Sequence, residues 1–252
     1  MLLEGKVVWL TGASSGIGKA LVIQLAKKGC KLVLSSRKES DLIHAIKAAN
    51  LGKENSLLIP FDLNDTSGAE DYVRQIVSKF GRIDVLINNG GFSQRAEAKD
   101  TSLEMSRELL EVNFFSAVAL TKAVLPEMIK QHSGSVVVIS SIAGKFGFFL
   151  RSSYSAAKHA LHGYFESFRL ETEKYGIKTL IVCPGKIKTN ISMNAKGPEG
   201  KIHNQMDDSH QKAMSADKCA EKIIEGIEKN KEEIFVGGKE LDRKSTRLNS
   251  SH

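Results

Sequence analysis

The sequence predicts an α/β protein: one doubly wound domain of the Rossmann type, with a parallel seven-stranded sheet covered by helices on both faces. Three observations predict it. Short β-branched and leucine-rich runs alternate with longer helical patterns along the chain. The short runs are apolar at successive positions, as strands buried on both faces require. A glycine-rich turn, TGASSGIG at residues 11–18, stands between the first strand and the first helix, where such sheets bind a dinucleotide.

Lys6 to Leu10 reads as the first strand, and a helical pattern from Ile17 through Lys28 follows the turn and stops at Gly29. Lys31 to Ser35 completes a βαβ unit. Asp41 to Asn50 is predicted helical, Ser56 to Pro60 a strand, and Gly68 to Lys79 a helix with Val73, Ile76 and Val77 on one face. Ile83 to Ile87 is the fourth strand. Ser102 to Lys130 reads as a long helix interrupted only near Pro126, and Ser135 to Ser140 as a β-branched strand. Tyr154 to Lys174 is the next helix, Lys178 to Val182 the sixth strand, Ala216 to Lys229 a helix and Ile234 to Val236 the seventh strand. Residues 190–215, polar, glycine-rich and containing methionines, are expected to form a loop or lid of the binding kind.

At 252 residues with 41% hydrophobic composition, the chain suffices for one large domain. No internal period of repeat proteins occurs. No apolar run of about 18 residues is seen and the N-terminus lacks the features of a secretory signal, so no membrane span and a cytoplasmic location are expected. Three dispersed cysteines suit reduced thiols, and no metal site is expected. Residues 242–252, DRKSTRLNSSH, back-translate to a common sequencing-adapter sequence. They are therefore expected to be a non-native tail on a domain spanning 1–241, with the natural C-terminus missing. Leaving out Asp242, Arg243, Lys244 and Arg247 takes the formal charge from +7 to +5. The remaining basic residues form no block, which argues against a nucleic-acid partner.

Gly12, Gly16 and Gly18 allow the backbone to turn sharply and bring a pyrophosphate onto the amides of a helix N-terminus, with Ser14, Ser15 and Ile17 in the same turn. At the end of the second strand, an acidic residue would hold a ribose 2′-hydroxyl. Ser35, Ser36, Arg37 and Lys38 stand there instead and suit a 2′-phosphate, so NADP(H) is expected over NAD(H). Glu39 and Asp41 are expected to begin the next helix.

Tyr154 and Lys158, spaced i, i+4, share one face of a helix. The cation is expected to bring the phenol pKa down toward a useful acid–base range. Ser141, at the carboxyl end of the SVVVIS strand, can donate to a substrate carbonyl oxygen; Ser140 is the competing candidate, and strand alternation sends the two side chains opposite ways. Asn113 is a poor helix former inside a long helix. His159 and His162 are expected to pack or meet solvent, with no assigned role.

The spacing G-x-x-x-G-x-G resembles the TGxxxGIG turn of the short-chain dehydrogenase/reductase family, and further motifs in order extend the resemblance to about Lys239. The resemblance implies that Asp62 and Leu63 contact adenine. It matches NNGG at 88–91 to the family's NNAG string, with Asn89 and Gly90 against the cofactor and Gly90 replacing alanine. Asn113, Ser141, Tyr154 and Lys158 match its catalytic tetrad, with Asn113 binding a relay water. Pro184, Gly185, Ile187 and Thr189 match its nicotinamide-holding segment. NNGGFSQR further resembles the dehydrogenase/reductase member 7 branch and its bacterial relatives. The implied activity is hydride transfer between nicotinamide and a carbonyl or alcohol carbon, and the implied assembly is a homodimer or homotetramer through the helices after Ser102 and Tyr154.

An apolar carbonyl or alcohol is the expected substrate, with Phe146, Phe148, Phe149 and Leu150 as one wall and Ile191, Met193 and Met206 as the other. The same residues would also suit core or subunit contact. An NADP(H)-binding redox sensor without turnover and a non-oxidising chemistry of the same family are the alternatives.

Overall fold

The computed structural model describes residues 1–189, 191, 193, 195–198 and 213–238. The expected tail and most of the expected lid, Met206 included, lie outside the described residues. Seven parallel strands form the main sheet: β1 (Val7–Thr11), β2 (Lys31–Ser35), β3 (Ser56–Leu58), β4 (Val85–Asn88), β5 (Gly134–Ile139), β6 (Ile177–Pro184) and β9 (Glu233–Val236). A separate parallel pair joins β7 (Ile187–Lys188) to β8 (Met214–Ser215). The main sheet runs β3-β2-β1-β4-β5-β6-β9, so strand order reverses between β1 and β4. The chain leaves the carboxyl ends of β1 and β4 toward opposite faces, to the helices Gly16–Lys27 and Ser116–Lys130, and this opens a crevice.

Helices α1 (Gly16–Lys27), α2 (Glu39–Ala48) and α7 (Ala216–Glu228) cover one face; α3 (Ala69–Phe80), α5 (Ser116–Lys130) and α6 (Ser152–Thr172) cover the other. Strand alternation feeds both layers: Val8 and Leu10 face α1, while Val7 and Trp9 face α3 and α6. Every β1 residue is buried, which explains the unbroken apolar run. Glu39 and Asp41 occupy the first turn of α2, as expected.

The long predicted helix is interrupted, but not at Pro126, which lies inside α5. Between α4 (Leu103–Leu110) and α5 the chain widens into a π-helical segment, Glu111–Phe115, that contains Asn113. Pro126, the eleventh residue of α5, lacks one amide donor yet does not break the helix, whereas Asn113 competes for the ladder: its Nδ2 donates to the Leu109 carbonyl at 3.0 Å. Taken as one helix, Leu103–Lys130 is long and apolar enough to cross a membrane, which corrects the expectation that no segment is. The linear run hid this because polar residues interrupt it. Leu109, Leu120, Val124 and Met128 of this helix are fully buried in the protein core.

Candidate active site

A continuous cavity of about 990 Å³ runs along the crevice at the strand reversal. One end is walled by the glycine turn and the end of β2, the other by Ser141, Tyr154, Lys158 and Asn113. Gly12 has φ +64°, and a side chain there would put its Cβ 2.7 Å from the Gly90 Cα. The end of β4 is clamped to the turn: Asn89 Nδ2 donates to the Thr11 and Gly12 carbonyls at 3.0 and 3.1 Å, and the Asn89 and Gly90 amides donate to Thr11 Oγ1 at 3.0 and 3.1 Å. Ser15, the residue before α1, makes no side-chain capping bond. The first amides of α1 are thus left for a ligand, and with Ser14, Gly16 and Ile17 on the wall the cradle fits a pyrophosphate.

Every predicted site residue lines this cavity except Gly18. Gly18 is buried behind the turn, where a Cβ would stand 2.0 Å from the Gly12 carbonyl oxygen. Its function is close packing of helix on turn, a correction to its assignment as a contact residue. Ser36, Arg37, Asp62 and Leu63 flank the β2 end, and Pro184, Gly185, Ile187 and Thr189 border the middle. At Gly90 a methyl would press on Leu63 Cδ1 at 2.4 Å, so glycine leaves Leu63 its place.

Tyr154 and Lys158 lie one turn apart in α6, 7% and 5% exposed, with Lys158 Nζ 5.8 Å from the phenol ring centre. Burial pushes the Tyr154 pKa up; the Arg151 guanidinium and a hydrogen bond with Ser141 pull it down by less. The expectation that Lys158 lowers this phenol is therefore corrected. Burial lowers Lys158 itself to about 8, and its ammonium is directed at the Ile139 carbonyl at 2.9 Å. Ser141 Oγ accepts from the Ala143 amide at 3.1 Å, while Ser140 points to His162 and Lys158. Asn113 Oδ1 is buried without a partner and faces Gly91, where a Cβ would be 2.4 Å from that oxygen and 3.8 Å from Lys158 Nζ.

Of the expected apolar walls, Phe148, Phe149 and Ile191 line the cavity; Phe146, Leu150 and Met193 do not. The sharp turn at Leu150, with φ +63°, re-aims that segment. Three contributors were missed. Gln94 is fully buried and its Oε1 accepts from the Ser153 and Tyr154 amides at 3.0 and 3.3 Å, seating the start of α6. Arg151 donates to Ser93 Oγ and, at 3.3 Å, to the Gln94 carbonyl. His162 stands one turn beyond Lys158, a spacing that was visible. Gln94 had no signal, since its partners lie about 60 residues away in sequence.

A dinucleotide cradle and a buried phenol–ammonium pair opening on one crevice define a nucleotide-dependent oxidoreductase of the doubly wound class. The chain belongs to the short chain dehydrogenase family, whose sequence profile matches residues 6–200. It is similar to the human "Dehydrogenase/reductase SDR family member 7", 40% identical over 241 residues, covering 93% of this chain and 70% of that protein. It also resembles the Drosophila melanogaster "Dehydrogenase/reductase SDR family protein 7-like", 37% identical over 93% of this chain and 73% of the relative. Among solved structures, a short-chain dehydrogenase from Streptomyces avermitilis superposes with TM-score 0.83 at 30% identity, covering 98% of this chain and 94% of that one. The fold is shared by a Burkholderia phymatum short chain dehydrogenase/reductase in complex with NAD, with TM-score 0.85 at 21% identity and 98% and 94% coverage.

Proposed function

We propose that the protein is an NADP(H)-dependent oxidoreductase that interconverts an apolar carbonyl compound and its alcohol, with Tyr154 as the general acid and base. The observation that carries this reading is the Tyr154–Lys158 pair sharing one continuous cavity with the glycine turn. When bound, the nicotinamide supplies or accepts the hydride. Gly12 to Ile17 would hold the pyrophosphate, Asp62 and Leu63 the adenine, and Pro184 to Thr189 the nicotinamide. Arg37 and Lys38, with Ser36 in place of a carboxylate, favour a 2′-phosphate.

In reduction, Ser141 holds the substrate oxygen and Tyr154 passes it a proton. Burial keeps the phenol protonated, the form that a proton donor needs. Lys158 orients the ribose, and its ammonium restores the phenol's proton through a relay. The unpartnered Asn113 Oδ1, close to Lys158, is a ready acceptor for a water in that relay. Phe148, Phe149 and Ile191 supply an apolar wall for the substrate body.

The test is NADPH and NADH consumption with a panel of apolar and small polar carbonyls. Apolar ketones or aldehydes with NADPH are expected to turn over fastest. Tyr154→Phe is expected to lower kcat about 100-fold or more with little change in NADPH affinity. Binding of NADPH without turnover of any carbonyl would favour a redox sensor instead.

A further inference from the structure

Beside the proposed catalytic residues lies a polar nest that the reaction does not use: His162, Cys183, Glu233, Glu166 and Lys145. His162 is 6% exposed. Its Nδ1 is 3.5 Å from carboxylate oxygens of both Glu166 and Glu233, and Cys183 Sγ is 3.7 Å from Nε2. The donor atoms of His162, Cys183 and Glu233 lie within 4.8 Å of one another, a spacing a divalent cation could use. Two features speak against a metal. The Lys145 ammonium already stands 2.6 Å from Glu233 and 3.7 Å from Glu166, and burial pushes the Cys183 thiol up to about 12, so it keeps its proton.

The other side of His162 meets the active site. Nε2 is 3.0 Å from Ser140 Oγ, and that hydroxyl oxygen lies 3.3 Å from the Lys158 carbonyl oxygen. The hydroxyl therefore touches both the ring nitrogen and the Lys158 carbonyl, and it can donate to Nε2 or accept from it. Burial and, after it, the Lys145 charge hold His162 below its ordinary pKa, against the pull of Glu233 and Glu166, which favours a neutral ring. Three successive residues at the end of β5 thus stand against α6: Ile139 accepts from Lys158 Nζ, Ser140 joins His162 to the Lys158 carbonyl, and Ser141 shares the cavity wall with Tyr154. The turn after Ser141 is packed on this link. A Cβ on Gly144 would be 2.5 Å from Ser140 Oγ, 2.8 Å from the Lys158 carbonyl oxygen and 2.9 Å from His162 Cδ2.

We propose that His162 is a positioning residue: through the Ser140 hydroxyl, its Nε2 fixes the end of β5 that carries Ser141 against the turn of α6 that carries Lys158. The proposal rests on the oxidoreductase reading above. It is tested in the full chain with NADPH and the best carbonyl of the panel, using His162→Leu, His162→Gln, Ser140→Ala and the Ser140→Ala/His162→Leu double variant. His162→Leu is expected to lower kcat about tenfold while KM and the NADPH dissociation constant stay within about threefold. His162→Gln, whose amide nitrogen can reach the Nε2 position, should recover most of that loss, and the double variant should be no worse than His162→Leu alone. Wild-type kcat in a folded His162→Leu protein, a loss that His162→Gln does not recover, or additive losses in the double variant would overturn it. If His162→Leu does not fold, Ser140→Ala decides: a fall in kcat at constant KM supports the link, and unchanged kcat overturns it. A wild-type chain that turns over no carbonyl instead overturns the oxidoreductase reading, and the positioning role falls with it.

Discussion

Ser36 occupies the position from which an acidic side chain would grip a ribose hydroxyl, and it leaves Arg37 and Lys38 on the cavity wall without a carboxylate partner from that position. Introducing one reverses the electrostatics. Ser36→Asp is expected to weaken NADPH binding about tenfold or more and to leave NADH binding equal or tighter, as read by competitive titration. The proposed preference rests on four consecutive residues at the end of β2, all of which the structure places on the cavity wall. The electrostatics of Tyr154 were not legible. The i, i+4 spacing placed Lys158 on the right face, but the phenol's environment is set by Leu109 and Ala143 packing around it from other elements. Burial there outweighs the charges nearby, and only assembled packing reveals that.

Helix α1 shows how an element's approach distance becomes a ligand site. With Gly18 lying against the Gly12 carbonyl, the helix N-terminus sits directly behind the turn. Gly18→Ala has no room for its methyl and must push α1 outward. NADPH affinity is expected to fall at least tenfold, while unfolding by urea shows a loss of about 1–3 kcal/mol from overpacking. The start of α6 depends likewise on Gln94. Gln94→Ala removes the acceptor for two amides and is expected to cost about 1 kcal/mol, the usual scale of a lost helix cap, with a fall in kcat because Tyr154 is one of the two. The seven main strands and their covering helices were readable from apolar periodicity, whereas the two-residue strands β7 and β8 were too short to show one. The π segment was not readable, because Asn113 exchanges ladder geometry for bonds to the carbonyls of Phe92 and Leu109, and the Phe92 contact comes from a distant loop.

Across the whole molecule, two apolar layers flank the sheet, and three thiols are sealed within it. Lys158, lowered to about 8 from 10.5, loses its proton earlier in the folded chain than in the unfolded one, so between those values it makes stability rise with pH. Cys30, Cys183 and Cys219, raised from 9.0 to about 12, have the opposite sign: above pH 9 the unfolded chain sheds protons that the folded chain keeps, and stability falls. Three thiols of one sign outweigh one ammonium of the other. Urea unfolding under reducing conditions is expected to show greatest stability around pH 8–9 and a steep decline toward pH 11; Cys219→Ala should make that decline shallower. Leu103, Phe115 and Leu170 are exposed on α4, the π segment and α6, the helices through which the resemblance implies a homodimer or homotetramer; light scattering at two or four times the chain mass would support that assembly, and a monomer would rule it out.

The chain contains a single tryptophan. Trp9 is fully enclosed in β1, edge-on to Tyr72, and its indole N–H donates at 3.0 Å to Ser35 Oγ, a residue that walls the cofactor crevice. Its emission comes from one rigid, dry position and overlaps the near-ultraviolet absorption of a reduced nicotinamide. Docking of NADPH should therefore quench that light by energy transfer and brighten the nucleotide's own glow, while the oxidised form leaves the second signal dark. The protein carries its own optical gauge of occupancy and redox state, with no label attached.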